Sequence, residues 1–260
     1  MSKPTAAKPR ISIIVACFND GEYVRQMWHT LDEPEPVALV VVDDGSDDPA
    51  SLSALEEIAA DPLVRVIHQE NQGPAAAMKR AVEAASTPYV FILGADDQPA
   101  SGALAKLADA LDENPGVAFT YGDYITFGRF FGYRALPRWD AWLNTQGNHC
   151  SAMIMIRRDA YLEVGGNQTR SRFEDWDLLL SLIDHGRKGL KVDCVAFFYR
   201  LHDRRAQRRF SQSRSSWRRE YELLQEWHPE TYARLGELEK QSELSRGQRL
   251  VYKALRLLRS

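Results

Sequence analysis

The sequence predicts an α/β fold, a mostly parallel sheet with helices on both faces, followed by a helical C-terminal extension. Three observations predict it. Short apolar runs such as Ile11-Ser12-Ile13-Ile14-Val15-Ala16-Cys17 recur and alternate with segments of helical spacing, which is how strands buried on both faces read. Two of these runs end in paired aspartates, Asp43-Asp44 and Asp96-Asp97, and in open α/β sheets ligands bind outside the carboxyl ends of the strands. After about residue 200 the apolar runs stop and only helical spacing is left.

In chain order, Ile11–Cys17 reads as a buried strand, Glu22–Leu31 as a helix, Val37–Val42 as a second strand and Pro49–Ala60 as a helix. Val64–Ile67 is a third strand, Ala75–Ala85 a helix, Tyr89–Leu93 a fourth strand, Ser101–Glu113 a helix and Val117–Tyr121 a further strand. The rhythm then breaks. Phe127–Asn148 is rich in aromatic residues and glycine without a clear period, and long irregular segments inside compact domains are usually functional loops. Ala152–Ile156 reads as a strand, Arg158–Val164 as a helix stopped by Gly165-Gly166, Trp176–Asp184 as a helix and Leu190–Phe198 as a strand.

Bulk properties narrow the class. With 260 residues, 44% of them hydrophobic and 27% charged, the chain has an ordinary globular composition. No apolar run reaches the roughly 20 residues that cross a bilayer, and Met1–Arg10 lacks the apolar core of a secretion signal. Three widely spaced cysteines, Cys17, Cys150 and Cys194, form no metal-knuckle or disulfide spacing, so a cytoplasmic location is expected. The net charge of −3 conceals an asymmetry: Arg200–Ser260 carries 15 basic and 8 acidic residues, leaving 18 and 28 for the first 199. The basic tail is expected to be solvated helix, with no nucleic-acid partner. Leu250–Arg259 mixes apolar and basic residues at helical spacing, which fits either peripheral contact with a membrane surface or packing on its own domain or on a second copy.

Paired carboxylates at strand ends repel each other and need a cation or hydrogen-bond donors. Asp43-Asp44-Gly45-Ser46 suits a turn that caps the next helix, and equally a pocket in which a carboxylate accepts the ring N–H of uracil, thymine or guanine, a proton cytosine lacks. Asn71-Gln72-Gly73-Pro74, ahead of an Ala-rich helix with Lys79 and Arg80, offers free N–H groups and positive charge to a phosphate. Asp96-Asp97 suits Mg²⁺ or Mn²⁺, which bind through one or two carboxylates plus substrate phosphates. Phe173-Glu174-Asp175-Trp176-Asp177 sets three acids at a helix start behind Arg170 and Arg172. Acids there favour the helix dipole, and one shielded by aromatics can act as a general base. His202 is a further candidate metal ligand.

Together these segments resemble the family 2 glycosyltransferases of the GT-A fold. The resemblance rests on Ser12–Asn19, Val41–Ser46, Asn71–Pro74, Phe91–Asp97, Val164–Gly166, Phe173–Asp177 and Tyr199–His202, which run in the family's order. It implies a GT-A domain over residues 10–203, with a nucleotide-sugar half at 10–123 and an acceptor and catalytic half at 124–203. A lead-in of 1–9 and a helical extension of 204–260 flank that domain. It implies metal-dependent, inverting transfer from a nucleoside-diphosphate sugar, a UDP- or dTDP-sugar favoured, to a hydroxyl of a glycan, glycolipid or other acceptor. Asp43 and Asp44 would hold the base beside Ala16, Phe18 and Asn19, with Asn71, Gly73 and Lys79 on the donor. Asp96 and Asp97 match the family's DXD-type metal pair, with Asp96 reaching ribose or metal and His202 as an added ligand. Asp175 matches the catalytic base, with Glu174 and Trp176 on the acceptor side. The chain departs from the pattern at Gly94, where the family often has Asp, and at Met78-Lys79, where Arg-Asn is common. The Gln-x-x-Arg-Trp motif of processive members is absent. The alternatives are a non-catalytic nucleotide- or sugar-binding module and, further off, a sugar-phosphate nucleotidyltransferase. A homo-oligomer is compatible with all of these.

Overall fold

The computed structural model describes residues 8–168, 172–202 and 214–259. Most of the expected lead-in (1–7), Arg170 and the boundary at 203/204 lie outside them. The strands are β1 (Ile11–Cys17), β2 (Val37–Asp44), β3 (Val64–Gln69), β4 (Tyr89–Gly94), β5 (Gln98–Pro99), β6 (Val117–Gly128), β7 (Gly132–Arg134), β8 (Met155–Arg157) and β9 (Lys188–Leu201). The helices are α1 (Gly21–Thr30), α2 (Pro49–Ile58), α3 (Pro74–Ala84), α4 (Ala103–Glu113), α5 (Ala141–Thr145), α6 (Arg158–Glu163) and α7 (Glu174–Asp184), then α8 (Arg214–Trp227), α9 (Pro229–Ala233), α10 (Leu235–Gln241) and α11 (Arg246–Arg259).

One nine-stranded sheet runs β3-β2-β1-β4-β8-β6-β9-β5, with β7 paired to β6. β1 lies parallel between β2 and β4, so the ends of all three, with their acidic turns, open on the same edge. β6 and β9 are also parallel, whereas β8 runs antiparallel to both β4 and β6. Side-chain alternation divides the core. Ile11, Ile13 and Val15 of β1 pack with α1, α2 and α4 on one face, while Ile14 and the matching residues of β2 and β4 pack with α3, α6 and α7 on the other. Both faces of the central strands are therefore apolar, as their sequence implies.

Local chemistry fixes the helix starts. Asp48 caps α2 by accepting from the backbone N–H of Ala50 and Ser51, ahead of Pro49, and Asp140 caps α5 through the N–H of Leu143. α1 and α2 approach closely because residue 21 is glycine: a Cβ there would sit 2.2 Å from the Ser51 carbonyl oxygen.

The segment expected to be irregular holds three regular pieces between irregular stretches. β6 continues seven residues past Tyr121 to Gly128, turns into β7, and is followed by α5. The pairing with β9, which extends from Val117↔Lys188 to Gly128↔Leu201, supplies the partner that the local sequence does not reveal. A third core cluster joins Trp142 and Leu143 of α5 and Trp176, Leu180 and Ile183 of α7 to Tyr221, Leu224 and Leu238 of the C-terminal helices. The extension thus packs on the helix that carries Asp175. Within α11, Lys253 pairs with Glu239 and Arg256 donates to the Tyr221 hydroxyl, while Leu250, Val251 and Leu255 are exposed. No helix among the described residues is long and apolar enough to cross a membrane.

Candidate active site

The ends of β1 and β2 form the first part of the site. Ala16, Cys17, Phe18, Asp44, Asn71, Gly73 and Pro74 line a cleft of about 150 Å³, and the Phe18 ring is half exposed above it. Asp44 is buried. One oxygen accepts from Gln69 Nε2 (2.7 Å) and the Gln72 N–H (2.8 Å), the other from the Gly73 N–H (2.8 Å). A carboxylate has about four acceptor positions, so two are spent on holding the Asn71–Gly73 turn against the cleft, a third on Gln69 of β3, and one is left for a ligand N–H. Asp43, also buried, accepts from the Ser46 N–H and lies 2.8 Å from His68 Nδ1. Asn19 is a clasp between the two strand ends. It takes a left-handed φ of 57°, its Oδ1 accepts from the N–H groups of Asp47 and Asp48, and its Nδ2 donates to Asp47. Burial pushes the Cys17 thiol at the cleft floor up to about 12, so it stays a neutral thiol rather than a nucleophile.

Lys79 stands apart from this cleft. It lines a polar groove with Gln69, Gln72, Arg80, Asn167 and Gln168, on the side of α3 facing the loop that leads to α7.

Asp96 and Asp97 lie past the end of β4, next to β1, and are fully buried. Asp97 Oδ1 accepts the Arg200 N–H (2.8 Å), and the Arg200 guanidinium donates to the Asp96 carbonyl (2.8 Å). That guanidinium also lies over the rings of Tyr23 and Phe127, at 4.7 and 4.4 Å. His202 Nε2 is 2.7 Å from Asp96 Oδ2. The end of β9 puts His202 against Asp96 and the Arg200 N–H on Asp97, but among the described residues no three His, Cys, Asp or Glu side chains are grouped so as to hold a metal ion.

Gly94 has a steric reason to be glycine. A Cβ there would lie 2.6 Å from Asp97 Oδ2 and 3.3 Å from its Cγ, closer than any real Cβ contact, so the absent side chain is the space into which the Asp97 carboxylate folds. Hard carboxylate oxygens with an imidazole alongside suit Mg²⁺ or Mn²⁺, provided the ligand's own oxygens complete the shell. Gly94→Ala should leave the fold intact, displace Asp97 and weaken metal-dependent nucleotide binding about tenfold or more, measured by calorimetric titration of UDP with Mn²⁺; unchanged affinity would contradict this.

Asp175 stands at the N-terminus of α7, half-buried. Oδ1 accepts the N–H of Trp176 (2.8 Å) and Oδ2 the amide of Asn148 (2.7 Å). Burial raises its pKa above the usual carboxylate range, and those two hydrogen bonds pull part of the way back. Burial also raises that of Glu174, with the Asp175 charge adding to it. Trp176 is buried and donates its indole N–H to the Asn144 carbonyl (2.7 Å), so it positions its neighbours rather than facing solvent.

The match to known proteins agrees with this layout. The family model described as Glycosyl transferase family 2 covers residues 12–173. The chain belongs to this family. The putative glycosyltransferase EpsH of Bacillus subtilis (strain 168) is 36% identical over 67 residues, which is 25% of this chain and 20% of EpsH. The S. aureus TarS 1–349 structure in complex with UDP-GlcNAc superposes with a TM-score of 0.64 at 16% identity, covering 96% of this chain and 72% of that one. A longer TarS structure gives 0.61 at 16% identity, over 74% and 37%. The chain therefore spans about a fifth of EpsH and under two-fifths of the longer TarS chain. The TarS likeness shows that this family 2 chain has the GT-A fold.

Three residues that the structure places at this candidate site were given no site role from sequence. Arg200 enters the sequence reading only as charge and as part of the Tyr199–His202 segment, yet it fastens both Asp96 and Asp97. Asn148 holds Asp175 from the segment expected to be irregular, and no local pattern marks it. Tyr23, in α1, stacks near His202 with ring centroids 5.4 Å apart.

Proposed function

We propose that this protein transfers a sugar from a nucleoside-diphosphate sugar, a UDP- or dTDP-sugar favoured, to a hydroxyl of a glycan, glycolipid or other acceptor, with inversion. The observation that carries the reading is the placement of the Ala16–Phe18/Asp44/Asn71–Gly73 cleft and the Asp96-Asp97 pair at adjacent strand ends, flanking β1. That is the crevice where an α/β sheet takes a nucleotide. The TarS structure bound to UDP-GlcNAc supports a uridine nucleotide.

In this reading the base lies against Phe18 and gives a ring N–H to the remaining acceptor position of Asp44. The N-terminus of α3, beyond the Asn71–Gly73 turn whose Gln72 and Gly73 N–H groups are held by Asp44, faces the diphosphate. Asp96, Asp97 and His202 would hold Mg²⁺ or Mn²⁺, which neutralises diphosphate charge when bound. Arg200 fixes the Asp97 carboxylate through its backbone N–H and the Asp96 main chain through its guanidinium. Asp175 takes the proton of the acceptor hydroxyl while that oxygen forms a bond to the anomeric carbon. On the opposite face the bond from that carbon to the diphosphate oxygen breaks, and its electron pair leaves with the nucleotide. A carboxylate with a raised pKa is the stronger base for this step. Asn148 and the Trp176 N–H hold it in one orientation, and Glu174 and Trp176 shape the acceptor side. Residues 10–123 serve the donor and 124–203 the acceptor.

The test is the slow reaction with water as acceptor. With UDP-N-acetylglucosamine, whose linkage is α, proton NMR of the first product should show the β anomer, and Mn²⁺ should accelerate release of UDP. Release of the α anomer would overturn inversion. Absence of turnover with every nucleotide sugar and acceptor tried, together with intact binding, would favour the non-catalytic module.

A further inference from the structure

Of the seven large apolar side chains that the described residues expose, three share one hairpin: Phe130 (62% exposed), Phe131 (81%) and Tyr133 (60%). They cap the turn between β6 and β7. The tip is well supported. Tyr124↔Arg134, Ile125↔Tyr133 and Thr126↔Gly132 pair its two strands, the Tyr133 hydroxyl donates to Asp123, and the Arg129 N–H donates to the Leu201 carbonyl of β9 (3.2 Å). Leaving two adjacent phenylalanines in water on a fixed support is unfavourable unless something covers them.

Charge identifies the cover. Phe127–Arg138 holds three arginines, Arg129, Arg134 and Arg138, and no acidic residue, within a first 199 residues whose balance is −10. The Arg129 guanidinium lies 5.3 Å from the centre of the Phe130 ring. The chain leaving β9 beside this tip continues in sequence with Arg204, Arg205, Arg208 and Arg209. Sites for small molecules and sugars are concave, whereas this feature is an apolar hairpin tip that carries Arg129 and Arg134, with Asp123 and Asp193 near Tyr133 at its base, a form that enters the interface of an anionic bilayer with its arginines at the headgroups.

We propose that the β6–β7 hairpin docks the protein on an anionic lipid surface, with Phe130 and Phe131 inserted and Arg129 and Arg134 on lipid phosphates. The tip lies beside Leu201, next to His202 and hence Asp96. Docking would therefore hold the mouth of the proposed transfer site at the lipid–water boundary, where a lipid-borne acceptor hydroxyl would lie. The surface contact itself does not rest on the transferase reading and is tested separately from it.

The experiment is co-sedimentation of the full chain with vesicles of phosphatidylcholine alone or mixed with phosphatidylglycerol. Wild type should bind the anionic vesicles, with affinity falling as salt rises. F130A/F131A should bind about tenfold more weakly or worse, since the insertion term is lost, while melting at the wild-type temperature. R129Q/R134Q should lose the preference for anionic lipid. Wild type remaining in the supernatant with both vesicles would overturn the proposal. So would unchanged binding by F130A/F131A, including the case in which L250S/V251S abolishes it and assigns the contact to α11. A raised KM for a water-soluble glycan acceptor in F130A/F131A with unchanged vesicle binding would assign the tip to glycan recognition and likewise overturn it.

Discussion

Asp175→Asn is expected to lower kcat by about 10²–10⁴, the range a positioned general base contributes, while donor affinity stays within about twofold of wild type. The substitution is close to isosteric. Its amide oxygen can still accept the Trp176 N–H, so the start of α7 should hold. What it removes is a half-buried carboxylate whose pKa is raised by burial. The rate should also depend on pH in a defined direction. Below the raised pKa of Asp175 the base is protonated and kcat falls; above it kcat reaches a plateau, and the midpoint lies above the ordinary aspartate range near 4. Asn148→Ala removes a hydrogen bond that favours the charged form, so it should move that midpoint upward. Comparing kcat with KM across pH for the three proteins checks this. Unchanged turnover in Asp175→Asn would remove Asp175 from the base role.

His228→Ala should destabilise the protein by about 3–5 kcal/mol, the usual cost of stripping one partner from a buried ionic cluster, which for a chain of this size lowers Tm by about 6–20 °C. His228 is buried between two acids of α7. Nε2 lies 2.7 Å from Asp177 Oδ1 and Nδ1 2.5 Å from Asp184 Oδ2, and Asp184 also accepts from the Thr231 N–H and hydroxyl. Both ring nitrogens face carboxylates, so both must donate, and the ring is an imidazolium. Burial alone would lower its pKa, but Asp177 and Asp184 outweigh it and the net shift is upward. Burial would likewise raise Asp184, but His228 and Thr231 prevail and its pKa is lowered. A raised histidine contributes stability that is complete below its unfolded pKa near 6.5 and fades as pH climbs through the folded value. A depressed aspartate contributes above its unfolded value near 4 and fades as pH drops through the folded one. The gap in Tm between wild type and His228→Ala should therefore be widest between those limits and narrow on either side. Because α7 carries Asp175 in its first turn, the loss should also reduce kcat. A gap that does not change with pH would contradict the ionic reading.

Much of this was legible in the sequence, for physical reasons that differ between elements. β1, β2 and β4 are apolar on both faces, so each announces itself without knowledge of its neighbours. Asp43-Asp44 and Asp96-Asp97 stand out because an apolar strand has no use of its own for a terminal carboxylate pair. What stayed hidden depends on distant partners. The last turn of β6 is fixed by pairing with β9 more than seventy residues away in the chain, as Gly128↔Leu201 shows. Asp177 and Asp184 lie seven residues apart on one helix, and their shared partner His228 is supplied by the start of α9. Gly94 read as a departure from the family pattern, and only the position of the Asp97 carboxylate, 2.6 Å from where a Cβ would be, explains it. Asn148 had no signal at all, since a loop amide becomes informative only once its carboxylate is placed beside it.

The most direct test of the central claim is a thermal-shift panel of UDP, dTDP, GDP, CDP and ADP, each with and without Mn²⁺. A ligand that binds only the native state raises Tm with the logarithm of its excess. The account predicts a rise with UDP or dTDP that grows with Mn²⁺, none with CDP or ADP, and loss of the metal-dependent part in Asp97→Ala. No shift with any nucleotide, with or without metal, would contradict it.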